Sequence, residues 1–201
     1  MGPFDDALPR VLNGEARRGR DRAADEFARD VLEQLDRLYA TARRLTRNAT
    51  DAEDLVQQTC LKAFRAAGHY KPGTNLRAWL FTILHRTFLN DRRHAAADPV
   101  VTDAEACDRA ADRGVANGET PETMLLRQAS DAEIRDAVDE LPLAFREAVW
   151  LRDVEDLSYA EIAQITSAPL GTVMSRIARG RRQLANVLAA NLRGPAAGGS
   201  A

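Results

Sequence analysis

The spacing of the apolar residues constrains the fold of this chain more than any other feature of its sequence. In residues 25–94 and 121–193, apolar side chains recur at intervals of three and four, which places them on one face of successive α-helices. No stretch shows the two-residue alternation that a half-buried β-strand requires. We therefore predict an all-α protein built from two small helical domains.

The N-terminal half is predicted to hold three helices. The first covers residues 27–48 and keeps an apolar face along that length. Thr50–Glu53 has the pattern of a capping box, which satisfies free amides at a helix start, so the second helix should begin there and stop at Gly68. After a loop at residues 69–75 that contains proline and glycine, the third helix covers residues 76–94.

Composition divides the chain into five segments. Residues 98–122 hold seven acids and two arginines without an apolar period, which is typical of a flexible acidic linker. We expect a mobile arm at 1–24, a first domain at 25–97, an acidic linker at 98–120, a second domain at 121–193 and a disordered tail at 194–201.

The segment 158–184 has the layout of a helix-turn-helix, whose second helix enters the major groove of DNA. Ser158–Glu161 is another capping box and starts a short helix, and Ser167–Pro169 turns the chain into a longer one. On the longer helix, Val173, Gly180 and their neighbours at three- and four-residue spacing should face the core. The opposite face of this helix carries hydroxyl and guanidinium groups, which can form hydrogen bonds to bases and phosphates. The candidate DNA contacts are Gly171, Thr172, Ser175, Arg176, Arg179 and Arg182.

The charge of the C-terminal end supports an anionic partner. Residues 162–201 hold five arginines and not one Asp or Glu. Because the whole chain has 26 Arg against 2 Lys, a single arginine says little, but forty residues without an acid say more. An amphipathic helix with a solvated arginine face would not explain the two-helix layout.

Four segments, taken in order, resemble the extracytoplasmic-function sigma factors of bacterial RNA polymerase. Asp51–Thr59 resembles region 2 of that family, and Gly73–Leu80 resembles its loop and helix for the −10 promoter element. Leu170–Leu184 resembles the recognition helix of region 4, and Leu141–Val149 resembles the segment before it. Four motifs in one order are far more specific than any one of them.

The resemblance implies a function and partners. Such a protein binds core RNA polymerase, directs it to promoters and helps to open the −10 region, here of a stress regulon. The second predicted helix would dock on the β′ clamp helices through Asp54, Gln57 and Gln58, and the C-terminal domain would meet the β flap. The linker would follow the channel through which RNA leaves, and an anti-sigma factor is a further implied partner.

The loop at 69–75 and the basic helix after it have the chemistry to capture an unpaired base, which needs stacking surfaces and edge donors. By resemblance, the candidates for the −10 element are Tyr70, Asn75, Arg77, Arg86 and Arg93. Asn75 could instead cap the helix that follows it. For Tyr70, a contact with DNA and a structural role are equally open alternatives. Trp79 has apolar neighbours and is expected in the core. Arg86 stands where the family usually has Asn, so the amide that would read the −10 sequence is missing there.

No pattern favours an enzyme, a cofactor or a metal site. The chain lacks a GxxxxGK[ST] phosphate loop, and His69, His85 and His94 lack metal-ligand spacing. We see no membrane span and no secretion signal, so we expect a cytoplasmic protein with no membrane partner and no small-molecule substrate. Two alternatives stay open: a DNA-binding regulator that works without polymerase, and a sigma-like decoy that binds an anti-sigma factor.

Overall fold

The computed structural model describes residues 24–95 and 131–192 of the 201-residue chain. The arm expected before residue 24, the acidic linker, the start of the second domain and the tail lie outside these ranges. Every regular element within the two described ranges is a helix, and neither contains a strand. The all-α prediction is confirmed.

Four helices and one short turn form the N-terminal half. They are α1 at residues 24–32, α2 at Leu35–Thr46, α3 at Ala49–Arg65, a 3₁₀ turn at Ala67–His69 and α4 at Leu76–Ala95. The prediction of a single helix over 27–48 is wrong, because a turn at residues 33–34 separates α1 from α2. Val31 and Leu38, on either side of that turn, are both buried, so the apolar face was read correctly. No Gly or Pro marks the break in the sequence.

Helix α3 begins earlier than the sequence pattern predicted. The Oδ1 atom of Asn48 accepts hydrogen bonds from the backbone N–H of Thr50 at 2.8 Å and of Asp51 at 3.3 Å. The capping box expected at Thr50 is therefore wrong, and Asn48 caps a helix that starts at Ala49. Asparagine is among the strongest N-cap residues, so it outcompetes the pair that follows it.

Within residues 131–192, the C-terminal half contains four helices. They are α5 at Asp131–Glu140, α6 at Leu143–Asp153, α7 at Tyr159–Thr166 and α8 at Leu170–Leu192. Pro142 separates α5 from α6, as the sequence predicted. Proline has no backbone N–H to donate to the preceding turn, so it cannot continue a helix. Helices α5, α6 and α8 enclose a small core of their own, lined by Val138, Leu141, Phe145, Leu184 and Leu188.

A larger core joins the two halves. Leu80 and Leu84 of α4 belong to the same buried cluster as Ile162 and Ile165 of α7. Leu151 of α6 also lies in this cluster. The two groups of helices therefore pack directly on one another, which no local pattern in the sequence indicated.

Gly180 marks the closest approach of α8 to α6. A Cβ atom at this position would lie 2.5 Å from Cγ2 of Val149 and 3.3 Å from the carbonyl oxygen of Phe145. The helices can pack at this spacing only because residue 180 has no side chain. The expectation that Gly180 faces the core is confirmed, and the crossing fixes the orientation of α8.

Candidate nucleic-acid interface

Helices α7 and α8 form the helix-turn-helix. The Oγ atom of Ser158 accepts from the N–H of Glu161 at 3.3 Å, and the N–H of Ser158 donates to Oε2 of Glu161 at 2.8 Å. This is the capping box that the sequence predicted. Ser167 ends α7 in the left-handed conformation, with φ 53°, and turns the chain toward α8. The side chains of Val173 and Ile177 are buried and pack α8 against the rest of the domain.

The candidate DNA contacts lie along the side of α8 that is not packed in the core. Gly171 and Arg182 are exposed, and the other four candidates are partly exposed. The Oγ atom of Ser175 donates to the carbonyl of Thr172 at 2.9 Å, so its lone pairs remain available as acceptors. No Asp or Glu occurs in α8 itself. This face has the groups that bind a phosphate backbone and base edges.

Arg181 has a structural role that sequence reasoning did not assign. Its Nε donates to Oδ2 of Asp153 at 3.0 Å, and a second bond joins Nη2 to Oδ1. The hydrogen bonding to Asp153 raises the pKa of this guanidinium above its ordinary value, despite partial burial. A two-point pair of this kind holds α8 to the end of α6. The sequence showed only that Arg181 is one of four arginines between residues 176 and 182.

Tyr70 lies in an aromatic cluster rather than on an open surface. Its ring centroid is 5.6 Å from that of Phe27 and 5.5 Å from that of Trp79. Its hydroxyl donates to the carbonyl of Thr74 at 2.8 Å, which fixes the loop before α4. Phe64 completes the cluster against Phe27. Trp79 packs against the core, as expected, and Tyr70 is held beside it.

Asn75 uses both ends of its side-chain amide. Its Oδ1 accepts from the N–H of Ala78 at 3.2 Å, so the residue caps α4, as one reading of the sequence allowed. Its Nδ2 donates to Oε1 of Glu161, on α7, at 2.6 Å. Burial opposes ionisation of Glu161, but hydrogen bonds from Ser158 and Asn75 outweigh it and lower the pKa of this carboxyl.

The three arginines expected at the −10 element have different surroundings. Arg86 and Arg93 are exposed on α4. Arg77 is half-buried, and its Nε is buried without a hydrogen-bond partner in the structure. An unpaired guanidinium nitrogen away from water is costly. In this structure, the Nε atom of Arg77 therefore lacks the hydrogen bond that a buried guanidinium nitrogen needs.

Two of the three residues expected to contact polymerase line a cleft on the N-terminal half. The cleft has a volume of about 510 Å³ and is lined by Leu45, Thr46, Asp51, Asp54, Leu55, Gln58, Phe88, Asp91 and Arg92. Asp54 and Gln58 thus line one concave surface, whereas Gln57 is exposed on α3 outside it. Three carboxylates over an apolar floor suit a basic side chain with an aliphatic stem.

Two buried charged residues escaped sequence reasoning because they pair across large separations along the chain. Glu155 is only 2% exposed and bonds Nη1 of Arg37 at 3.3 Å. Burial raises the pKa of Glu155, although Arg37 acts in the opposite direction. Arg146 is 4% exposed and donates to the carbonyls of Arg44 at 2.7 Å and Leu141 at 3.1 Å. No local motif could have singled them out.

Comparison with known families agrees with this arrangement. Residues 31–97 match sigma-70 region 2, and residues 131–184 match sigma-70 region 4. Together the two matches cover more than half of the chain. This chain belongs to the sigma-70 family. It is 35% identical to the ECF RNA polymerase sigma factor EcfG of Rhodopseudomonas palustris, over 82% of this chain and 86% of that one, and so belongs to the extracytoplasmic-function group.

The sigma factor is similar to several characterised relatives. It is 41% identical to the ECF RNA polymerase sigma factor SigE of Mycolicibacterium smegmatis over 159 residues, which are 79% of this chain and 60% of that protein. It is 33% identical to the RNA polymerase sigma-H factor of Pseudomonas aeruginosa, over 88% of this chain and 91% of that one. The fold matches the sigma factor RpoE of Bartonella quintana, solved with the anti-sigma factor NepR, with a TM-score of 0.61 and 30% identity. That match covers 82% of this sigma factor and 97% of RpoE.

None of the helices in 24–95 and 131–192 has the length and apolar character needed to cross a membrane. The same residues contain no group of three or more His, Cys, Asp or Glu side chains arranged to hold a metal ion.

Proposed function

We propose that this sigma factor binds core RNA polymerase, directs it to specific promoters and helps to open the −10 region to initiate transcription. The observation that carries the proposal is the capped helix-turn-helix with a recognition helix free of acids, on the same chain as a region 2 match. A plain DNA-binding regulator would need only the first of these. A stress regulon is the set of promoters that the family resemblance favours.

The two halves would divide the work on DNA. We assign region 4, at 121–193, to the −35 element through Gly171, Thr172, Ser175, Arg176, Arg179 and Arg182. We assign region 2, at 25–97, to the −10 element through Tyr70, Asn75, Arg77, Arg86 and Arg93. Exposed guanidinium groups on α4 and α8 support both assignments. The acidic linker at 98–120 would join them along the RNA exit channel.

Docking on polymerase would use α3 and region 4. We assign Asp54, Gln57 and Gln58 to the β′ clamp helices, and region 4 to the β flap. The cleft that Asp54 and Gln58 line, with its carboxylates, supports a contact with basic residues of the clamp. A protein with these roles works in the cytoplasm and is not an enzyme. An anti-sigma factor is a further proposed partner, and the relative RpoE was solved with one.

Reconstituted transcription tests the proposal. Purified sigma factor and core polymerase are incubated with a library of promoter fragments, and run-off RNA is measured. We expect initiation from a subset of fragments only when both proteins are present. Asp54→Ala should weaken binding to core polymerase, whereas Glu53→Ala, the neighbouring exposed acid on α3, should not.

The alternatives predict other outcomes. A regulator that acts without polymerase would bind specific duplex fragments tightly by itself and would not associate with core. A decoy would associate with an anti-sigma factor but yield no transcript from any fragment. Either result would contradict the proposed function.

A further inference from the structure

Arg181 lies on a different side of α8 from the candidate DNA contacts. Successive residues of a helix are rotated by about 100°, so Arg179 and Arg181, two positions apart, lie on nearly opposite sides. Arg179 belongs to the candidate −35 face, whereas Arg181 lies beside the flank that buries Ile177 and Leu184. One member of the arginine run of α8 therefore faces back into its own domain.

Asp153, in the last turn of α6, holds Arg181 at two points. Nε of Arg181 donates to Oδ2 of Asp153 at 3.0 Å, and Nη2 donates to Oδ1. A two-point pair between a guanidinium and a carboxylate fixes the direction of both groups as well as their separation. A lysine at the same position would keep the charge but would not fix the direction.

This pair lies next to the close crossing of the same two helices. Because Gly180 has no side chain, α8 lies against Val149 of α6, and Asp153 is four residues further along the same face of α6. Apolar contact is non-directional, so it sets how closely the helices approach but does less to fix their rotation. The pair between Arg181 and Asp153 adds a directional contact at this crossing.

The same turn of α6 also holds the start of α7. Nη1 of Arg152 donates to the carbonyl oxygen of Leu157 at 2.9 Å, and its guanidinium carbon lies 5.2 Å from the centroid of the Tyr159 ring. Leu157 lies in the loop between α6 and α7, and Tyr159 is the first residue of α7. Two neighbouring residues at the end of α6 thus hold both helices of the helix-turn-helix, Arg152 at α7 and Asp153 at α8.

We propose that Asp153 and Arg181 are positioning residues for the −35 element. Their pair fixes the rotation of α8 so that its outward face meets the base edges, and Arg181 itself makes no contact with DNA. This inference rests on the proposed function, because it takes α8 to be the helix that reads the −35 element.

A positioning pair should affect the choice between DNA sequences more than the stability of the fold. The side chains of Arg181 and Asp153 are 35% and 32% exposed. An ion pair with that access to water adds little to the free energy of unfolding. Variants that break the pair should therefore fold, so their binding to DNA can be measured.

Binding of holoenzyme to two promoter fragments tests the proposal. The first is a fragment from which run-off transcription starts, and the second has the same sequence with its −35 element scrambled. Discrimination is the ratio of the two dissociation constants, measured in competition gel shifts at several salt concentrations. The variants are Asp153→Asn, Arg181→Gln and the double variant, which replace charged groups by neutral amides. The matched controls are Arg135→Gln and Asp136→Asn, at exposed positions of α5.

We expect each single variant to lower discrimination about tenfold, as the misalignment of one base contact would. The double variant should lose no more than either single variant, because both single changes break the same pair. The slope of log affinity against log salt concentration should stay the same, because no phosphate contact is lost or gained. The controls should match the parent, and urea denaturation should show that every variant is folded.

Other results would overturn the inference. If Asp153 only withholds Arg181 from the phosphate backbone, Asp153→Asn would tighten binding to both fragments and steepen the salt slope by about one. If Arg181 already contacts a phosphate, Arg181→Gln would weaken binding to both fragments equally and reduce that slope by about one. Unchanged discrimination in both single variants, whatever their urea midpoints, would leave the pair with a structural role at most. If the parent does not discriminate between the fragments, the proposed function fails and the inference fails with it.

Discussion

Replacing Gly180 by alanine tests the close crossing of α8 and α6 that positions the recognition helix. The added Cβ would lie 2.5 Å from Cγ2 of Val149 and 3.3 Å from both Cβ and the carbonyl oxygen of Phe145. Val149 is β-branched and cannot easily rotate away, and the Phe145 oxygen belongs to the helix backbone. The only relief is to move α8 away from α6.

The expected loss is the difference between two effects. Alanine favours a helix over glycine by about 1 kcal/mol, which opposes the loss. Overpacking of a tight contact costs about 1–3 kcal/mol, and here the rigid neighbours favour the upper end of that range. We therefore expect Gly180→Ala to lower the free energy of unfolding by about 1–2 kcal/mol.

Urea denaturation followed by circular dichroism measures this loss. Gly171→Ala is the matched control, because it changes a glycine of the same helix where no atom lies within 4 Å of the new Cβ. That substitution should leave stability unchanged or raise it by about 0.5 kcal/mol. If Gly180→Ala were as stable as Gly171→Ala, the close packing of α8 on α6 would be refuted.

Four more predictions test other parts of the molecule. Arg176→Ala and Arg179→Ala should each weaken recognition of the −35 element by about 1–3 kcal/mol in competition gel shifts with holoenzyme, and the domain should stay folded in urea denaturation. Ser158→Ala should lower the free energy of unfolding by about 1 kcal/mol, because the N–H of residue 161 loses its cap; an unchanged urea midpoint would count against the capping role. Burial raises the pKa of Glu155, so the folded state binds its proton more tightly, and stability should fall as pH rises from about 4.5; Glu155→Gln should flatten this dependence in urea titrations across pH. Replacing residues 98–122 by a neutral Gly/Ser chain of equal length should impair initiation but not binding to core, and normal run-off transcription would instead identify the segment as a plain spacer.

Local patterns predicted most of the individual helices. The spacing of three and four residues located the apolar faces, since a helix repeats every 3.6 residues whatever surrounds it. The capping box at Ser158 and the core position of Gly180 followed from the same local rules. Where two local signals competed, the prediction failed: Asn48 lies just ahead of Thr50 and takes the cap.

The candidate site was only partly predictable, for a related reason. The candidate arginines of α8 lie off its buried face, as expected, because that depends on helical phase alone. Tyr70 and Asn75 have contacts that helical phase does not encode. The ring of Tyr70 packs against Phe27, which is far away along the chain, and the amide of Asn75 bonds a carboxylate of another helix.

The sequence by itself determined that this chain is helical, that it carries a helix-turn-helix with a basic face, and that its motifs are those of a sigma factor. Each of these depends on residues within a few helical turns of one another, so their spacing can be read directly from the sequence. Only the tertiary structure decided how the halves meet, through pairs such as Arg37 with Glu155 and Thr41 with Trp150. These partners are more than a hundred residues apart. Their pairing depends on the shape and charge of two assembled surfaces, which cannot be read from the local spacing of residues.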